Sequence, residues 1–339
     1  MNRWLISQYR PRRSLHLLLQ ANLAPDDVAA RAWQDWQRMR SIEDATWLEV
    51  RLLAPLARRI ATLDPRSPLR PRLEGLAKAH WSKTQLIIRD CAPAIDALKG
   101  AGIEFLLFKG AAYYAEGLAP ATRRIMADVD ILVRPEAAAA ASDRLCDSGW
   151  SSKKGYSPER LRSKVLASIS GASYRKGEYG EIDLHCHVFY FTRRNPQLNA
   201  SLWENARPAR FAGRAVLVPS PEDSIVIGIA DGVRSGEGDW IMDVGYRIRN
   251  SQIEWDRVAS IAEQRGLVPL IHSGLTYLRG FGYEIPRSTF DWLQAARPSA
   301  GEYLKYWDFR LRGLDVPHRL RRTVHSLANA LLPRDRYQY

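Results

Sequence analysis

Apolar and polar positions divide the chain into three stretches. From Met1 to about Ile95, apolar residues recur at helical spacing. Pro25-Asp26-Asp27 opens a helix carrying Trp33 and Trp36. Ser41-Ile42-Glu43-Asp44 has the form of a capping box and predicts a second helix through Trp47, Leu52 and Leu56. Pro65, Pro68 and Pro71 then force a break, because each lacks an N–H and disfavours helix before it. A long helix follows from about Arg72 to Leu98, ended by Gly100 and Gly102. Between about Asp96 and Ser220 the pattern becomes one of short apolar runs. Ile103–Phe108, Val129–Val133, Glu181–Val188 and Ala215–Val218 predict strands, with helices at Ala111–Gly117 and Ala137–Leu145. From Pro221 to Tyr339 helical spacing returns, around Trp240–Ile248, Trp255–Glu263, Pro269–Leu278 and His318–Leu332. The expectation is a mixed α+β chain in three parts: helices over 1–95, an α/β core over 96–220, helices over 221–339.

Composition narrows the class. With 339 residues and 46% apolar content the chain can bury a sizeable core, which excludes wholesale disorder. A net charge of +13 favours anionic partners such as nucleotides, RNA or acidic peptides, although scattered arginines equally fit a GC-rich coding background. Cys91, Cys146 and Cys186 are far apart and odd in number, which argues against a disulfide framework and suits a reducing compartment. The basic N-terminal stretch has only short, broken apolar runs, and no run is long enough to span a bilayer. The expected location is the cytoplasm.

Within the core, Asp128 and Asp130 enter an otherwise apolar strand at i and i+2, so both point to one face. Two part-buried carboxylates side by side repel, and an oxygen-rich pair suits Mg²⁺. The plainer reading is a strand-edge pair facing water. Asp183 is the candidate third acid: along EYGEIDLHCHVFY it shares a face with His185 and His187, opposite Ile182, Leu184 and Cys186. It can bind metal or take a proton from a substrate hydroxyl; an amphipathic strand with its polar face in solvent is the alternative. His185, Cys186 and His187 do not read as a zinc site, because the cysteine points away and no second Cys/His cluster completes a tetrahedron. Lys109-Gly110, at the end of a buried strand, can meet a triphosphate through the lysine charge and a close backbone approach, and Arg124 can bind phosphate as well. Walker A and dinucleotide-binding glycine patterns are both absent from the sequence.

Lys109-Gly110, followed by Arg124-Ile125-Met126-Ala127-Asp128-Val129-Asp130-Ile131-Leu132-Val133, resembles the K-G … R-x-M-x-D-[IV]-D-[IL]-L-V signature of a bacterial family of uncharacterised nucleotidyltransferases with a DNA polymerase β-type core. Ile182-Asp183-Leu184-His185 resembles that family's third-carboxylate strand. Pro219-Ser220-Pro221-Glu222-Asp223 and Trp240-Ile241-Met242-Asp243-Val244 resemble its helical tail. The likeness covers roughly Ile103 to Tyr246. It implies a small mixed sheet flanked by helices, two Mg²⁺ ions (Mn²⁺ as alternative) on Asp128, Asp130 and Asp183, and an NTP held by Lys109, Gly110, Ala111 and Arg124. It further implies NMP transfer to an acceptor hydroxyl with release of pyrophosphate. Ala111 stands where the wider superfamily has Ser or Gly. Asp231 stands where family members often carry His, which with His185 marks a candidate substrate pocket.

The acceptor is not legible. A peptide or natural-product intermediate in biosynthetic tailoring, a protein, or RNA all fit, as does a toxin-type enzyme modifying tRNA or protein. Arg160, Arg162, Lys164, Arg175 and Lys176 can clamp an anionic acceptor or simply form a solvated loop. A non-catalytic nucleotide- or peptide-binding module is the reading from another class.

Overall fold

The computed structural model describes residues 9–118, 125–166, 171–189, 197–236, 238–312 and 318–331. Sixteen α-helices and seven strands lie among them, and the chain is a mixed α+β protein. It divides into two compact units: Lys78–Ser220, which holds the sheet, and a helical unit built from Met1–Ala77 together with Pro221–Tyr339.

In the sheet unit, strands β1 (Phe105–Leu107), β2 (Val129–Val133), β3 (Ser151–Ser152), β4 (Ala172–Lys176), β5 (Gly180–His185), β6 (Arg207–Phe211) and β7 (Arg214–Val218) form one sheet. Their order is β3-β4-β5-β2-β1-β7-β6. The β2–β5 and β1–β7 pairs are parallel and the others antiparallel, so the sheet is mixed. The side-chain period of two then sorts each strand. Val129, Ile131 and Val133 of β2, Ile182 and Leu184 of β5, and Ala172 and Tyr174 of β4 turn into one core, with Ile87, Cys91, Ile95 and Leu98 of the preceding helix. The intervening residues, Asp130, Asp183, His185 and Ser173 among them, are left for the opposite face.

The observed bounds differ from the sequence expectation for physical reasons. The long helix runs Arg70–Gly100, starting earlier because Pro71 falls in its first turn, where a missing N–H costs nothing. The predicted capping box at Ser41 is corrected: Ser41 Oγ bonds Asp44 within a turn, and the box is made by Thr46 and Glu49 at the start of Trp47–Leu56. Strand β5 stops at His185, short of the predicted Val188, and β1 keeps only its three central residues. Strands β3, β4 and β6 and the helix Pro158–Leu166 were not foreseen; they are short or rich in polar residues.

In the helical unit, α1 (Arg13–Leu23), α2 (Asp26–Met39), α3 (Trp47–Leu56) and α4 (Ile60–Leu63) come from the start of the chain. The later helices include Pro221–Ser235, Asp239–Asn250, Trp255–Gln264 and Val268–Arg279. Among the described residues, no helix is long and apolar enough to cross a membrane.

Candidate active site

Asp130 is the centre of the polar face. Register pairs it with Asp183 across the parallel β2–β5 ladder, so both side chains emerge on the same side of the sheet. The next position on that face of β5 is His185, whose Nε2 lies 3.0 Å from Asp130 Oδ1. One ligand atom from each of Asp130, Asp183 and His185 lies within 4.8 Å of the others, a group that can hold a metal ion. Neither Cys186 nor His187 joins it; Asn199 Nδ2 lies 3.4 Å from His187 Nδ1. Asp128 lies half-buried in the bend before β2, and its carboxylate does not join that group.

Lys109 reaches this centre from the turn after β1. Its Nζ donates to Asp130 Oδ1 at 2.9 Å, and its ammonium lies 5.2 Å from the Phe108 ring centre. The backbone there has φ +52° and ψ −130°, a conformation that L side chains adopt only under constraint. Gly110 and Ala111 follow as the buried first residues of the short helix Gly110–Ala115. Arg124 lies outside the described residues.

Burial alone pushes the Asp130 carboxyl up. The Lys109 charge and the hydrogen bonds from His185 and Lys109 outweigh it and hold the group below the usual carboxylate range. Asp130 is therefore ionised and already carries a cation and a ring donor on one oxygen. The His185 ring is packed edge-on against Phe108 at 5.0 Å. On its other side Gly171, at φ +142°, lies so close that a Cβ would stand 2.6 Å from Leu184 O and 3.0 Å from His185 Nδ1.

Lys153 was missed in the sequence. Its N–H donates to Ser173 O at 3.0 Å, which continues the β3–β4 register and places Lys153, Ser173, Asp183 and Asp130 in one cross-strand row. Its Nζ is held by Glu181 Oε2 at 2.5 Å, and that hydrogen bond raises its pKa, with the Asp128 and Asp183 charges adding to the effect. The row could be found only once the edge strands were known; no motif marks it. The basic residues foreseen as a clamp mostly have local partners. Arg160 stacks on Tyr156, Arg162 pairs with Asp143, and Lys176 donates to Ser148 O. Asp231 belongs to the helical unit, on Pro221–Ser235, paired with Arg234.

The donor set fits a hard divalent cation. Two carboxylates face one another across a ladder, and a cation, the Lys109 ammonium, already sits on Asp130. The histidine is engaged with Asp130, in the manner of a residue that orients a ligand carboxylate. Such a face can gather an anionic substrate and a metal ion on a rigid sheet. The model of a protein family described as an uncharacterised nucleotidyltransferase matches residues 35–281. No curated protein and no solved structure matches the chain.

Proposed function

The chain belongs to this uncharacterised nucleotidyltransferase family, whose model covers most of its length, and on that footing we propose that it transfers an NMP from an NTP to an acceptor hydroxyl. The acceptor oxygen forms a bond to the α-phosphorus while the bond from that phosphorus to the bridging oxygen breaks, and pyrophosphate leaves. The observation that carries this reading is the Asp130–Asp183 pair, two carboxylates in register on adjacent parallel strands with His185 behind them.

In this reading the core is of the DNA polymerase β type, and Asp128, Asp130 and Asp183 are the metal-binding acids. Mg²⁺ bound there supplies the positive charge that steadies the attacking and leaving oxygens. Asp183, the less buried of the cross-strand pair, takes the acceptor's proton. Lys109 exchanges its contact with Asp130 for the triphosphate, and Gly110, Ala111 and Arg124 complete the nucleotide's cradle. His185 holds Asp130 in position, and Asp231 takes part in acceptor recognition.

The test is transfer of α-labelled NTPs, each in turn, into host-cell extract with Mg²⁺. Asp130→Asn and Asp183→Asn are run beside wild type. We expect label only with wild type, and a loss of about a hundredfold or more in each variant. An Asp130→Asn protein with full activity sinks the assignment. Retention of NTP without pyrophosphate release would identify a binding module instead.

A further inference from the structure

We propose that the helical unit carries a second binding site, for a small organic anion with an aromatic or bicyclic body. A cavity of about 850 Å³ lies there between the first helix of the chain, Arg13–Leu23, and Val268–Arg279. That volume is in the range of about 300–1,000 Å³ typical of small-molecule sites. The cavity is lined entirely by residues of the helical unit.

Its walls select the body of the ligand. Tyr9, Tyr277 and Phe281 form a chain of edge-to-face rings, at 5.1 Å between Tyr9 and Tyr277 and 5.3 Å between Tyr277 and Phe281. Val28, Ala24 and Pro25 close the far side. Flat apolar rings packed in this way offer a planar ligand both faces and edges to stack against.

Its polar groups select the charge. Arg10, Arg13 and His16 line the cavity, and none of the described residues that line it is acidic. Arg13 is also the first residue of its helix, whose first turn carries no acid and whose N-cap provides no side-chain bond. His16 adds an imidazole to the lining. Its Nδ1 lies 2.6 Å from the Tyr277 hydroxyl. Burial and the nearby Arg10 charge lower the His16 pKa. Arg10, Arg13 and His16 thus border a cavity with aromatic walls, which suits a carboxylate, sulfonate or phosphate on an aromatic frame.

The probe is 1-anilinonaphthalene-8-sulfonate, titrated by fluorescence against the full chain, with N-phenyl-1-naphthylamine as its uncharged counterpart. We expect one saturable site for the sulfonate, with the uncharged dye binding about tenfold more weakly or worse. Arg10→Ala/Arg13→Ala, at exposed positions where folding is not at stake, should weaken the sulfonate by about tenfold or more. Ala24→Trp, which fills the cavity without touching a charge, should abolish binding. No binding to wild type, equal binding to wild type and Ala24→Trp, or equal affinity for the two dyes would each overturn the site. Nucleotidyl transfer enters none of these measurements, so the two proposals stand or fall separately.

Discussion

At the scale of single residues, the decisive contact is Lys109 on Asp130. Asp130 is buried, and an ionised carboxylate there is tolerated only because Lys109 and His185 bond the same oxygen. Lys109→Met should therefore destabilise the protein by about 3 kcal/mol, the scale of a buried ion pair left with one partner. Asp130→Asn in the same chain should restore most of it, because no charge is then stranded. Denaturant unfolding of the two single variants and the double variant measures both effects. The sign of the pH dependence follows from the direction of the Asp130 shift. A carboxyl held below its unfolded value contributes stability that is fully present above that value and is lost as pH falls through its folded value. Removing Lys109 shrinks that contribution, so the variant's stability should fall less steeply on acidification than wild type's. Alternation alone puts Asp183 and His185 on a common face of β5, whereas Asp128 precedes β2 and its carboxylate stays outside the group they form with Asp130. The contact between the two strands was not legible, since parallel pairing brings together residues 53 positions apart that no local pattern links. The sequence reads Lys109 as a candidate phosphate ligand, and its contact with Asp130 was not legible.

At the scale of elements, helix crossings depend on glycines that a propensity argument would count as weak points. Gly228 and Gly232 lie four apart on Pro221–Ser235, facing Val244 and Trp240 of Asp239–Asn250. A Cβ on Gly232 would stand 2.0 Å from Trp240 Cδ1, and Trp240 is itself buried. Two effects oppose each other in Gly232→Ala. Helix propensity favours alanine by about 1 kcal/mol. Overpacking against a buried indole costs about 1–3 kcal/mol or more, because the ring has no solvent to move into. We expect the second to win, with a net loss of about 2 kcal/mol in thermal or denaturant unfolding; a stabilised variant would show that the two helices can slide apart freely. The sequence made both helices legible through their apolar spacing, yet nothing in it tells a crossing glycine from a chance one. The capping box shows the same limit. An S/T followed three residues later by an acid occurs at Ser41 (Asp44) and again at Thr46 (Glu49), and only the course of the chain selects Thr46.

At the scale of the whole molecule, the helical unit is made from two segments separated in sequence by the entire sheet unit. Read along the chain, they are an N-terminal lead and a C-terminal tail. One contact that joins them is a buried ion pair: Arg51 of Trp47–Leu56 donates through Nε at 2.9 Å and Nη2 at 2.5 Å to Asp239 Oδ2. Both side chains are below a tenth exposed. Charges so desolvated add little net stability as a pair, but either one left alone is costly. Arg51→Met should thus lose about 3 kcal/mol, and Arg51→Met/Asp239→Leu should recover much of that loss, because an apolar pair of similar volume leaves no charge behind. The cycle is read by urea unfolding of the full chain, with far-ultraviolet circular dichroism reporting the helices. If the two segments stood as independent domains, Arg51→Met would disturb only the first and leave a second, unshifted transition. Because they share one core, with Leu19 and Leu52 packed close to Gly238, a single shifted transition of the helical unit is expected.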